Sequence, residues 1–154
     1  HHMKGTAMPS VAVLVADGFE TIECLTVVDI LRRGGVRAAL VSVMATRDVV
    51  SAQQVSLTCD YTFDEIDFDD FEYVVLPGGL PGTTNLLEGR RATCFPGFEE
   101  SFPEGSYAGE KTVVVDGNII TASAMGQALP FSLAILNDIA GEVAVAKVRE
   151  GIQL

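Results

Sequence analysis

Two short stretches of this chain have residue types suited to chemistry, and both follow apolar runs. Asp17-Gly18-Phe19-Glu20-Thr21-Ile22-Glu23 comes after VAVLVA, and Leu76-Pro77-Gly78-Gly79-Leu80-Pro81-Gly82 closes the next run but one. The first offers carboxyl groups. In the second, Gly78 and Gly79 lack the Cβ that would keep backbone N–H groups away from an anion or a developing oxyanion, although the same pair also makes a plain turn. A nucleophile is harder to find. Cys24, Cys59 and Cys94 are far apart, odd in number and without C-x-x-C spacing, so neither a disulfide framework nor a zinc site is expected. The only histidines, His1 and His2, stand with Met3 in what resembles the remnant of a purification tag, which leaves no imidazole as general base or metal ligand. Neither G-x-G-x-x-G after the first apolar run, nor a G-K-[ST] phosphate loop, nor a G-x-S-x-G elbow is present.

The chain has 154 residues, enough for one core, and is divided here into a tag remnant and lead over 1–9 and a single domain over 10–154. Ten basic residues against twenty-one acidic ones give a formal charge of -11. That balance opposes unspecific attraction to nucleic acid or anionic lipid, and Arg90-Arg91 is too small a patch to reverse it. No apolar run approaches the roughly 20 residues of a bilayer span. No secretory leader is visible and the cysteines are few and unpaired, so a cytoplasmic protein is expected, with no nucleic-acid and no membrane partner.

The elements that must hold the two stretches follow from period and punctuation. VAVLVA, Val11 to Ala16, is continuously apolar, as a strand covered on both faces should be. Ile22, Leu25, Val28 and Leu31 then recur at helical spacing, with Glu20, Glu23, Asp29 and Arg32 assigned to the polar side. Gly34-Gly35 ends that helix, with Arg32-Arg33 at the favourable end of its dipole. Val36 to Val43 reads as a second strand, and the βαβ crossover should be right-handed. Val49 to Thr58 is mixed and suits a small hairpin or an excursion, and Phe63 to Phe71 an acidic connection with a short helix. Tyr73 to Leu76 is a third strand. Thr112–Val115 and Asn118–Thr121 flank Asp116-Gly117 as a hairpin. A helix is expected from Gly126 to Gly141, with Pro130 tolerable only near its first turn, and a short helix over Glu142 to Arg149.

Taken in order, DGFETIECLTVVDILRRGG, VVLPGGLPGTTNL, LEGRRATCFPGFEE and VVVDGNIITAS with FSLAIL resemble the DJ-1/PfpI (ThiJ) superfamily, particularly its bacterial DJ-1-like members. The resemblance implies an α/β fold, a flavodoxin-like three-layer α/β/α sandwich with a mainly parallel sheet, of the class I glutamine amidotransferase-like kind and commonly homodimeric. It matches Glu23 to the family's acidic residue and Gly78 and Gly79 to its oxyanion-side turn. It also implies a helix, a further central strand ending in a cysteine elbow, and another helix between the P-G-G/N-L segment and L-x-G-R-x-A-T. Here Asn85-Leu86-Leu87 runs almost directly into Glu88-Gly89-Arg90, and none of the three cysteines matches the family nucleophile. Cys94, in A-T-C-F-P, falls near where some members carry a pocket histidine and is the remaining sulfur candidate. Cys24 and Cys59 are expected to be buried packing residues, and Met125 interface or core. The family's T-S-R-G-P-G-T reads Thr121-Ala122-Ser123-Ala124-Met125-Gly126-Gln127, and an acidic position beyond it is Pro130. The charge pairing of a dimer-proximal loop is thereby lost, while the apolar helix from Phe131 to Leu136 remains available to dock.

The function expected of the chain is that of a DJ-1/PfpI-like scaffold without the standard cysteine nucleophile, in a binding or stress-related role, with no cofactor and no metal. Its partners would be a second copy and a small carbonyl compound or protein client. The alternative is a cofactor-free cysteine-dependent hydrolase or lyase, of the glyoxalase III, protein deglycase or peptidase-like kind. It requires an intact cysteine elbow between Leu86 and Arg91.

Overall fold

The structure, a computed structural model, describes residues 10–77, 113–116, 119–122 and 128–154. The first strand, β1 (Ser10–Val15), is buried along its whole length, which explains why its sequence does not alternate. Its odd and even residues nevertheless serve two different cores. Val11, Val13 and Val15 pack with the helices, whereas Ala12 and Leu14 face Ala39, Val41, Phe71 and Val74 on the opposite side. Helix α1 (Thr21–Arg33) returns the chain to β2 (Arg37–Ser42), which pairs with β1 in parallel from Ser10↔Arg37 to Val15↔Ser42.

Beyond β2, the strands β3 (Asp48–Val50) and β4 (Ser56–Thr58) form an antiparallel hairpin, separate from the main sheet and starting one residue before the expected segment. A two-residue strand, β5 (Tyr61–Thr62), then pairs with the end of β2. It is too short to leave a periodic signal. The acidic connection folds as two 3-10 turns, Phe63–Glu65 and Phe68–Asp70. Strand β6 (Tyr73–Pro77) lies on the other side of β1. The hairpin around Asp116-Gly117 is formed by β7 (Val113–Asp116) and β8 (Ile119–Ala122), one residue later than expected on each side.

The main sheet runs β5-β2-β1-β6-β8-β7, with every neighbouring pair parallel except β7 and β8. Strand β6 is bonded directly to β8, from Val74↔Ile119 to Pro77↔Ala122, with no strand between them. Helix α2 (Ala128–Ala140) and helix α3 (Glu142–Gly151) complete the described chain. Pro130 is the third residue of α2, where its missing N–H leaves no intrahelical bond unmade. Gly141 separates the two helices at φ 87°, a left-handed conformation that suits glycine. The α/β class and mainly parallel sheet agree with the expected flavodoxin-like sandwich. Among the described residues, α1, α2 and α3 all contribute to the core on the same face of the sheet.

Two expectations about helix faces need correction. On α1, Ile22 and Leu25 are exposed at 55% and 37%, whereas Glu23 is 1% exposed. Helical spacing from Glu23 reaches Val27, Ile30 and Leu31, and all of these are buried. Counting Glu23 as polar had turned the inward face about the axis. On α2, Phe131, Leu133, Ile135 and Leu136 belong to the intramolecular core and are therefore not free to dock elsewhere. The arginines at the end of α1 also do more than face the dipole: Arg32 donates to the Ala38 carbonyl on β2 and pairs with Asp60, while Arg33 pairs with Asp29 one turn back.

Helices α1 and α2 meet at Gly34, where an added Cβ would overlap Leu136 Cδ1. Gly34 has φ -82°, so a larger residue meets no backbone strain there and the obstacle is steric alone. Gly34→Ala is expected to destabilise the protein by about 1–3 kcal/mol in urea unfolding. The cost should shrink in a Leu136→Ala background, and equal costs in both backgrounds would rule out this contact as the cause.

Candidate functional site

In an open parallel sheet the carboxyl ends of the strands gather the loops and helix starts that bind ligands. Here β1, β6 and β8 end together, at Val15, Pro77 and Ala122. Glu23, the third residue of α1, stands in the first turn after β1. Gly78 and Gly79 directly follow β6. They and Cys94 lie outside the described residues, as do Ser123 and Met125.

Glu23 is the described residue that departs most from ordinary packing. It is buried, and among the described residues neither Oε1 nor Oε2 has a hydrogen-bond partner. Two influences compete for its proton. The helix N-terminus favours the anion by about 0.3–1 kcal/mol, up to about 2 in partly buried geometries. Removal from water favours the neutral acid, and so does the nearby carboxylate of Glu20. Burial dominates: the Glu23 carboxyl is pushed up from 4.5 to about 7, with Glu20 the smaller cause. Near neutrality a large share of the molecules therefore carry a neutral carboxylic acid here, able to donate one hydrogen bond and accept others.

The two described cysteines are unsuited to attack. Cys24 and Cys59 are both buried free thiols, as expected. Burial pushes Cys24 up to about 12, with smaller contributions from Cys59 and Glu23. Cys59 is raised to about 11, mainly by burial and then by Asp60 and Asp48. Thiolate is the reactive form, so both sulfurs are inert near neutral pH. Cys24 adjoins Glu23 in sequence, and both are inside because the buried face of α1 is broad.

Sequence reasoning did not identify the segment that covers the start of α1. The Ser51–Val55 turn between β3 and β4 reaches back to this region: Gly18 N–H donates to the Val50 carbonyl at 2.8 Å, and Ala52 N–H to the Phe19 carbonyl at 2.9 Å. The turn has no motif; its only visible sign is the polar Gln53-Gln54 pair between Val50 and Val55. Among the described residues, no group of His, Cys, Asp and Glu side chains has an arrangement that would hold a metal ion. No described helix is long and apolar enough to cross a membrane.

A mainly parallel α/β sheet with a buried acid at its carboxyl edge defines the class of protein. The model of the DJ-1/PfpI family matches residues 9–88 and 81–138, and the chain belongs to that family. Among its relatives, Protein DJ-1 homolog B of Arabidopsis thaliana is 28% identical, over 95% of this chain and 40% of its own length. This chain thus spans about two fifths of that plant protein. Protein dj-1beta of Drosophila melanogaster is 27% identical, over 93% of this chain and 96% of its own length. The crystal structure of Drosophila DJ-1beta superposes with a TM-score of 0.78, covering 96% of this chain and 99% of that one. Deglycase TK1284 of Thermococcus kodakarensis is 27% identical over 71% of this chain and 66% of its own length.

The alignments also bear on the short passage from Leu86 to Arg91. The one with the Arabidopsis protein runs to 182 positions, more than the 154 residues of this chain, so the relative carries residues within the aligned span that this chain lacks. The family model likewise matches in two pieces, which meet over residues 81–88.

The raised pKa of Glu23 makes a stability prediction. The folded protein holds this proton up to about pH 7, whereas the unfolded chain releases it near 4.5. The stabilising contribution is complete below pH 4.5, falls as pH rises and is lost through pH 7. Its full size is on the order of 3 kcal/mol. Chemical unfolding from pH 4 to 8 should show this decline in the wild type and a flatter profile in Glu23→Gln; parallel profiles would contradict the assignment.

Proposed function

We propose that this protein is a DJ-1/PfpI scaffold without the family's cysteine chemistry, and that it binds a small carbonyl compound or a protein client through the neutral carboxylic acid of Glu23. The observation that carries this reading is the buried Glu23 carboxyl, whose two oxygens have no partner among the described residues. A buried polar group without a partner is costly, and a ligand carbonyl that accepts its proton relieves that cost. Gly78 and Gly79, following β6, would supply backbone donors on the other side of the ligand. The inert state of Cys24 and Cys59 supports a binding rather than a covalent role, in a stress-related setting as the resemblance implies. So does the direct ladder between β6 and β8, because a further central strand after β6 would have to split that ladder or move to an edge of the sheet. The unpaired thiols suit the cytoplasm.

The second reading, a cysteine-dependent hydrolase or lyase, draws on the retained Glu23 and on the relative named Deglycase TK1284. Within this chain it would have to use Cys94, since the other two sulfurs are core residues. One set of experiments separates the readings. Hydroxyacetone, a neutral carbonyl probe, is titrated by NMR from pH 5.5 to 8.5. Affinity should fall up to about tenfold per pH unit above 7 as the acid ionises. It should become pH-independent in Glu23→Gln and be lost in Glu23→Ala. Binding undiminished in Glu23→Ala would end the proposal, and methylglyoxal turnover abolished by Cys94→Ser would replace it with the cysteine enzyme.

We also propose a homodimer that covers the outward face of α1. Ile22 and Leu25 stand exposed there, and Val50 and Val55 are exposed on the hairpin fastened to its start, at 38% and 43%. Exposed apolar side chains grouped on one helix and its neighbour suit an interface. Sedimentation should give twice the chain mass for the wild type and the chain mass for Ile22→Asp. A dimer that survives this substitution would place the interface elsewhere.

A further inference from the structure

The first turn of α1 is not capped from within. Glu20 occupies the N-cap position in an extended conformation, and its side chain makes no cap hydrogen bond. The leading N–H groups of a helix need partners from elsewhere. Here one partner comes from 32 residues further along the chain: Gln53 Oε1 accepts the Thr21 N–H at 3.3 Å and the Thr21 hydroxyl at 2.8 Å. The other end of the same amide donates from Nε2 to Glu20 Oε2 at 3.0 Å. Gln53 thus engages the N-cap residue and the first helical residue together, in the turn that carries Glu23.

The loop presenting Gln53 is held independently of that contact. Ser51 N–H donates to the Val55 carbonyl at 2.9 Å, and the buried Ser51 hydroxyl accepts the N–H groups of Gln53 and Val55 at 3.2 and 3.0 Å. Gln54 takes φ 62°, a left-handed conformation that a residue with a side chain keeps only where its surroundings impose it. Val50 N–H to Asp17 Oδ1 at 3.0 Å, with the two backbone bonds to Gly18 and Phe19, fastens the base of the loop.

We propose that Gln53 is a positioning residue for Glu23: the preshaped β3–β4 turn clamps the uncapped first turn of α1, holding Glu23 fixed and excluding water from its carboxyl group. The inference rests on the reading of Glu23 as the binding acid and extends it to the segment controlling access. Asp17 and Glu20 are the carboxylates engaged by the clamp. On α1, Cys24 is the adjacent titratable group, and Cys59 at the end of β4 interacts with Cys24. Gln53 acts through Thr21 and Glu20 and need not touch the ligand.

The test uses the full chain, with amide hydrogen exchange and the carboxyl 13C titration of Glu23 read on the same samples. Gln53→Ala should speed exchange of the Cys24 amide, which donates to Glu20 at 3.1 Å, by about tenfold while the amides of β1 keep their wild-type rates. The Glu23 midpoint should move from about 7 towards 4.5 as water enters. Thr21→Val removes only the hydroxyl bond and should give a smaller change in the same direction. Unchanged Cys24 exchange, or equal acceleration in α1 and β1, would overturn the clamp. So would a Glu23 midpoint that stays near 7 in Gln53→Ala. If wild-type Glu23 itself titrated near 4.5, the binding reading would fail first, so the two failures are distinguishable.

Discussion

The ladder between β6 and β8 joins two parts of this molecule that are distant in sequence. Residues up to Pro77 build β1, α1, β2 and β6; residues from Val113 build β7, β8 and α2. Four consecutive backbone partners, Val74↔Ile119 to Pro77↔Ala122, place both parts in one sheet. Parallel strands lie about 4.8 Å apart, so this pairing also fixes where the strand ends converge. The common core of α1 and α2 follows from it, because the helices share the face of the sheet on which Val75 projects. The close approach of Gly34 to Leu136 accompanies that shared face: the two helices, packed side by side, leave no room for a Cβ at that crossing.

The chemistry at the carboxyl edge comes from a contest between dipole and desolvation. A glutamate in the first turn of a helix ordinarily stabilises the helix as an anion. Glu23 has that location, but its inward direction removes it from water and leaves its oxygens without partners among the described residues. The cost of burying charge exceeds the modest gain from the dipole, and the group retains its proton. The opposite outcome is seen at Glu65, which is exposed and held well below the usual carboxylate range by Arg47 and by Thr62. The difference between these glutamates lies in what surrounds them rather than in residue type.

Much of the architecture was legible because strong local signals agreed with the tertiary environment. Continuous apolar runs announced β1, β2 and β6, and Asp116-Gly117 announced the β7–β8 hairpin. The position of Pro130 in the first turn of α2 was likewise foreseeable from its missing N–H. Strand β5 was missed because two residues have no period. The inward side of α1 was misassigned because hydrophobic periodicity treats every carboxylate as solvent-facing, while Glu23 shares the buried face of α1 with Val27, Ile30 and Leu31. Of the candidate site, family resemblance located Glu23, but only three-dimensional packing showed its isolation. Gln53 had no motif to mark its role, since its partners Thr21 and Glu20 lie on the far side of α1, β2 and β3 in the chain.

By itself the sequence determined the family, the alternation of strands and helices, the absence of a histidine beyond the first two residues, and the short passage from Leu86 to Arg91. These are properties of residue identity and order along the chain. Tertiary structure decided that β6 and β8 are neighbours, that Glu23 holds a proton near neutral pH, and that a distant glutamine caps the helix bearing it. Each depends on groups brought together through space: unpaired backbone edges, exclusion of water from a carboxyl group, and a side-chain amide meeting two hydrogen-bond partners that the linear order keeps apart.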